Sequence, residues 1–232
     1  MYGNNEIIGY LQANKILALK LDHAVSAVGQ QFTNQIDTLG KGATRLLYYT
    51  SCFTDEYNDV CQQQKTEDIR FRDAIYKVLR HGDVVYDMLR IYFEEIFKFK
   101  TSEQIKRIKQ CLMAENVHIA ASALTSAGFT LAVASSVRIG LNLSLEISTL
   151  AGAWTSRGIV AVGVYGVIQK AADSANRLHI HYPAYYFALY AQRLEMLYFL
   201  IEPVLQQAGA IEAQWASDND LVGIITGMIQ QS

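Results

Sequence analysis

Apolar positions recur at helical spacing through the first half of the chain and stop alternating with polar ones in its middle. Ile7, Leu11, Ile16, Leu17, Leu21, Ala24, Val25, Val28 and Phe32 predict a first helix over about residues 5–39. "LGKGA" at 39–43 then offers two glycines as a stop, and a second helix follows over about 43–63. Thr66, followed by Glu67 and Asp68, has the form of an N-cap with acids in the first turn, which predicts a third helix over about 66–98. Thr101 or Ser102 caps a fourth, whose early turns carry the wet, basic face of Lys106, Arg107 and Lys109.

Beyond Glu115 that wet face disappears. Residues 117–137 contain no formal charge, and residues 116–169 contain only Arg138, Glu146 and Arg157. Gly140 and Asn142 supply a turn near the middle of this block, so it reads as a helix, a short turn and a second helix. Gly128, Ala132 and Ser136 recur every four residues on the first arm, and Ser148, Gly152 and Ser156 do so on the second. Small residues at this spacing let two backbones approach closely, in lipid or in a protein core. Phe129, Trp154, Gly163 and Gly166 belong to the same predicted hairpin. Its length permits a membrane span of about 30 Å, yet its many Ala, Ser, Thr and Gly residues make it less apolar than a typical span. Two readings stay open: a membrane-entering hairpin, with Arg138 and Glu146 near its tip and Arg157 facing the partner arm or a wet lumen, or the central pair of a soluble core.

Past Asp173 an aromatic segment contains Tyr185, Tyr186, Phe187, Tyr190, Tyr198 and Phe199, and predicts a helix over about 183–207 that begins at Pro183. Most of these rings are expected in the core or at an interface, and Tyr185, Tyr186 and Tyr190 are the candidate partner surface. "SDND" at 217–220 predicts the cap of a last helix over about 221–230. Two prolines in 232 residues and a 51% hydrophobic fraction fit an all-α chain with a substantial core. The simplest architecture is a single domain over 1–232, a bundle of about seven helices enclosing the hydrophobic, Gly/Ala/Ser-rich hairpin. Its parts are charge-rich amphipathic helices (1–115), the hairpin (116–170) and aromatic-rich helices (171–232). Residues 1–117 hold 30 charged side chains and residues 118–232 hold 12, so the two halves face different surroundings.

Candidate chemistry changes this picture little. Cys52, Cys61 and Cys111 lack the close spacing of zinc or redox motifs and read as three buried or idle thiols in a reducing compartment. His179 and His181 point about 200° apart on a helix, which argues against joint metal ligation. Glu94 and Glu95 lack the Glu-x-x-His pairs of di-iron bundles. No nucleophile elbow, P-loop or dinucleotide fingerprint is present, so the expectation is a non-enzyme without cofactor or metal. A net charge of −2 with no strongly basic run gives no footprint for nucleic acid. The N-terminal "MYGNNEIIGYLQANK" does not have the form of a cleaved secretory signal, which predicts a cytoplasmic location in the producing cell.

In its pattern of an uncharged hairpin among amphipathic helices, the chain resembles the helical pore-forming bacterial toxins. It is similar to the colicin pore-forming domains, whose soluble bundle encloses an inserting hairpin, and to small membrane-depolarising effectors delivered by type VI secretion. The resemblance covers residues 116–170, and Arg138, Glu146 and Arg157 depart from the almost uncharged colicin hairpin. It implies a protein that is soluble before insertion and makes a target-cell inner membrane permeable to ions, with lipid as partner. A cognate immunity protein, a secretion apparatus and further copies of the chain are the other implied partners. The alternative expectation is a soluble adaptor, chaperone or immunity protein that binds a partner and keeps the hairpin as its core.

Overall fold

The computed structural model describes residues 41, 45, 52, 58–81, 83–115, 117, 119, 125–141 and 161–230. The predicted helix over 5–39, most of the one over 43–63, the hairpin turn after Leu141 and the first part of its second arm lie outside the described residues. Among those described every regular element is helical, as the proline scarcity implies, so the protein is all-α. They fall into two compact units, one of Met1–Ile75 and Leu150–Asp173, the other of Tyr76–Thr149 and Ser174–Ser232.

Helix α1 (Asn58–His81) and helix α5 (Ala161–His181) contribute to both units. In α1 the buried positions Cys61, Gln64, Phe71, Ala74, Ile75 and Val78 recur at helical spacing, while Gln62, Gln63, Lys65 and Thr66 stay exposed. Thr66 therefore does not open a helix. It sits inside α1, and its hydroxyl donates to the Gln62 carbonyl at 2.8 Å. Glu67 and Asp68 serve instead as counter-ions. Arg45 is fully buried and donates to Asp68 Oδ1 from Nε and Nη2 at 3.0 and 2.6 Å, and to Glu67 Oε2 from Nη1 at 2.9 Å. It also reaches the Gln64 carbonyl and Gln169 Oε1. A buried guanidinium needs this many acceptors, because an unpaired charge there would cost several kcal/mol. The thiol expectation is corrected as well. Cys52 and Cys61 form a disulfide, and Cys111 is free and exposed.

The second unit is built around α2 (Val84–Phe97). The predicted helix over 66–98 is broken here, because the Asp83 side chain accepts from the Tyr86 backbone N–H at 3.0 Å and starts a new helix. Nine of the 14 residues of α2 are buried, so neighbours cover it on nearly every side. Helix α3 (Ser102–Ala114) starts as expected at Thr101. Its hydroxyl accepts from the Gln104 N–H while the Gln104 side chain accepts from the Thr101 N–H, a reciprocal capping box. Helix α4 (Ser126–Gly140) packs against α2 and against the last helix, α8 (Asp218–Gln230), which Ser217 and Asp220 cap in the same reciprocal way.

The aromatic segment is not one helix. Pro183 does begin α6, but α6 ends at Ala191 (Pro183–Ala191), and Arg193 takes a left-handed backbone conformation. A 3-10 helix over Glu195–Leu200 follows, then α7 (Glu202–Gln207) with Pro203 in its first turn. Gly209, at φ +66°, turns the chain into a second 3-10 helix, Ala210–Trp215. The spacing of the apolar residues concealed these breaks, because each buried residue satisfies a helical period as well as a tighter turn, and Gln192, Arg193, Glu195 and Glu202 interrupt the run without forbidding a helix.

Candidate functional site

Helix α4 is the described first arm of the charge-poor hairpin, and the start of α5 is the described end of its second arm. Thr125 caps it, its Oγ1 accepting from the Gly128 N–H at 3.0 Å. Phe129, Thr130, Val133, Ala134 and Val137 form its buried face, and Phe129 meets Phe97 of α2 with ring centroids 5.0 Å apart. From there aromatic rings run on through Phe93, Tyr92 and Tyr185 to Tyr198, each pair at 5.0–6.1 Å between centroids. Tyr92 donates to the Ala210 carbonyl at 2.7 Å and Tyr185 to the Met88 carbonyl at 2.9 Å. These bonds let two phenols sit in the core without an unmet donor.

Burial pushes the hydroxyl pKa values of Tyr92 and Tyr185 well above the usual tyrosine range, and neighbouring tyrosines add to the shift. Tyr182 is raised by burial and then by the Glu95 carboxylate. Tyr198 is raised by burial and by Glu202, with Arg177 acting against it. Glu202 itself is buried, accepts from Ser174 Oγ at 2.8 Å, and takes both Nε and Nη2 of Arg177 at 2.7 Å. Neither Glu202 nor Arg45 was singled out from the sequence. The available signal was a charge inside an otherwise apolar run, and it gives no partner.

The outer face of α4 has no charge before Arg138, and it leaves Leu131 at 42% and Ile139 at 85% exposure. Its hydroxyls turn inward onto their own helix. Thr130 donates to the Ser126 carbonyl, Ser135 to Leu131 and Ser136 to Ala132, at 2.9–3.0 Å. Gly128, Ala132 and Ser136 are half-buried, and Gly166, in α5, is buried. Gly163 also lies within α5, whereas Glu146, Gly152, Trp154 and Arg157 lie outside the described residues.

Arg138 is tied into the fold. Its Nε donates to Asp83 Oδ1 at 2.7 Å and its Nη1 to the Leu141 carbonyl at 3.0 Å. The same Asp83 oxygen caps α2, so one carboxylate links the end of one helix to the start of another. Gly140 is the last residue of α4 and not part of a loose turn. A Cβ there would lie 2.6 Å from the Ile229 carbonyl oxygen, so glycine is what allows α4 and α8 to touch.

Of the candidate partner surface, Tyr185 is removed by its full burial. Tyr186 is half-buried and Tyr190 is 40% exposed, with rings 5.8 Å apart. His179 stacks on Tyr186 at 4.4 Å and meets the exposed Phe187 edge-on at 5.3 Å. No described helix is long and apolar enough to cross a membrane. Compared with known protein families, curated proteins and solved structures, the chain matches none. The fold and the sites above therefore define a class no narrower than an all-α protein with a charge-poor, partly exposed helix.

Proposed function

We propose that this protein is a membrane-permeabilising effector of the pore-forming kind, soluble before it meets its target, that works through residues 116–170 without catalysis, cofactor or metal. The observation that carries the reading is the hydrogen bonding of α4. Three hydroxyls of a helix whose one charge is Arg138, in its last turn, donate to their own i−4 carbonyls, which removes much of the cost of placing Ser and Thr in lipid. Exposed Leu131 and Ile139 on the same helix support it. At 15 residues α4 is about 22 Å long, short of a hydrocarbon layer of about 30 Å, so insertion requires the helix to lengthen into residues 117–125. Release of Arg138 from Asp83 accompanies that step, since a guanidinium is expensive in lipid unless paired or near the interface. The Cys52–Cys61 disulfide supports a protein that acts outside a reducing cytosol, at a target-cell inner membrane. A secretion apparatus, a cognate immunity protein and further copies of the chain are the partners this reading implies.

The test is release of potassium from loaded liposomes across pH and lipid composition. Release by the wild-type protein and its loss on Leu131→Lys/Ile139→Lys, two exposed changes, support the proposal. Intact liposomes under every condition refute it. A second reading is a soluble partner-binding protein, favoured by the exposed cluster of His179, Phe187 and Tyr190. A monodisperse complex with one protein and no lipid binding would select it.

A further inference from the structure

Two of the most exposed large side chains of the second unit are Phe99, 84% exposed in the turn between α2 and α3, and Trp215, 85% exposed at the end of the second 3-10 helix. The residues beside them are joined. Lys100 Nζ donates to the Ala216 carbonyl at 3.1 Å and pairs with Asp218 Oδ1 at 3.3 Å, which brings the two turns to one edge of the unit. A single exposed aromatic needs no explanation. Two on adjoining turns, one of them a tryptophan with an indole N–H, match the side chains that settle at the boundary between water and hydrocarbon.

Basic groups outnumber acids around them, although Glu95, Glu103, Asp218 and Asp220 lie on or beside the same edge. Residues 98–109 carry five basic side chains and one acid, Glu103, although the whole chain carries a net −2. Asp218 lies on this edge and is held by Lys100 and Arg107, the latter at 3.2 Å. Lys98 is 57% exposed, bridges Glu95 at 3.7 Å and has its ammonium 5.7 Å from the centre of the Phe99 ring. Lys106 is exposed on the following turn.

We infer that the edge formed by Phe99, Trp215 and the basic stretch 98–109 docks the protein on an anionic lipid surface, the two rings entering the interface while the exposed Lys98, Lys106 and Arg107 meet headgroup phosphates. Rings contribute apolar area, and the basic groups add an attraction that salt screens. This docking shares its lipid partner with the function proposed above but uses other residues, so the two fail separately.

The test uses the full chain with Trp154→Phe, which leaves Trp215 as its only tryptophan. Vesicles of phosphatidylcholine with phosphatidylglycerol should shift Trp215 emission to the blue, acyl-brominated lipid should quench it, and high salt should reverse both. In the otherwise unaltered chain, Phe99→Ala/Trp215→Ala should lower co-sedimentation with the same vesicles at least about tenfold and leave the thermal melt unchanged. Unaltered Trp215 emission, equal binding to pure phosphatidylcholine, or wild-type co-sedimentation of the double variant would each overturn the inference. Potassium release that survives the double variant unchanged would overturn it while leaving the proposed function standing. Docking without release would support it and refute the proposed function.

Discussion

Gly140→Ala sets two physical effects against each other. Alanine is the better helix former by up to about 1 kcal/mol, so propensity alone predicts a more stable protein. The new methyl, however, would stand 2.6 Å from the Ile229 carbonyl oxygen and 3.2 and 3.3 Å from its Cα and carbonyl carbon. All three are backbone atoms of α8 and cannot rotate away, so α4 and α8 must part by several tenths of an ångström. Forcing atoms into a close-packed contact typically costs about 1–3 kcal/mol, which after the helix gain leaves a net loss of about 0–2 kcal/mol. In a chain of this size each kcal/mol is about 2–4 °C in Tm. Gly223 and Gly227 of α8 are internal controls, since a Cβ at either meets nothing within 4 Å. Alanine at those positions should stabilise by up to about 1 kcal/mol. Equilibrium urea unfolding of the three variants reads both signs in one experiment. A Gly140→Ala protein as stable as the Gly223→Ala one would refute the close approach of α4 and α8.

Other outcomes follow from the same structure. Cys52→Ser/Cys61→Ser should lower stability by about 2.6 kcal/mol, the loop-closure entropy of a nine-residue separation, and a reductant should do the same to the wild type; a reductant without effect in the melt would refute the disulfide. Arg45→Met should cost about 2–3 kcal/mol in urea unfolding, less than for a fully buried pair, because Glu67 and Asp68 are about one-fifth exposed and can rehydrate. Asp83→Ala should lose about 1 kcal/mol for the cap of α2 and at most about 1 more for the partly exposed pair with Arg138, whereas Asp83→Asn keeps a capping oxygen and should lose only the second part; equal losses would refute the cap. Stability should fall at alkaline pH. Tyr92, Tyr182, Tyr185 and Tyr198 all have raised pKa values when folded, so above about pH 10 the unfolded chain sheds their protons first, favouring unfolding by about 1.4 kcal/mol per pH unit per tyrosine. A spectrophotometric titration showing these phenols ionising near pH 10 in folded protein would refute their burial.

What the sequence disclosed was local, and what it hid was long-range. Thr101 with Gln104, Ser217 with Asp220, and Pro183 each announce a helix start because the bonding partners lie within one turn. Thr66 carries the same local signature and misleads. Glu67 and Asp68 face Arg45, more than 20 residues away, and the helix runs through them. The break at Asp83 is an exception, since its signal is local, Gly82 and Asp83 ahead of an apolar run with Asp83 capping Tyr86 within one turn, but the apolar positions on either side keep helical period and outweigh it; the end of α6 is hidden because nothing near Arg193 forbids continuation. Gly140 looked like a turn residue, yet its reason lies at Ile229. Of the candidate site, the charge-poor character of α4 was legible, but the inward bonding of its hydroxyls and the anchoring of Arg138 to Asp83 required coordinates. Tyr185 shows the limit from the other side. Composition marks it as aromatic and helical, and only packing decides that it faces Met88 and not a partner.

The central claim is that the uncharged segment serves a membrane. The most direct measurement is the membrane potential of bacterial cells, followed with a voltage-sensitive dye, when the protein is made in the cytoplasm and when it is exported to the periplasm. Permeabilisation predicts rapid depolarisation on export, without gross lysis, and its loss in Leu131→Lys/Ile139→Lys. An unchanged potential with abundant folded protein in the periplasm would contradict the account and make α4 a helix of a partner-binding core.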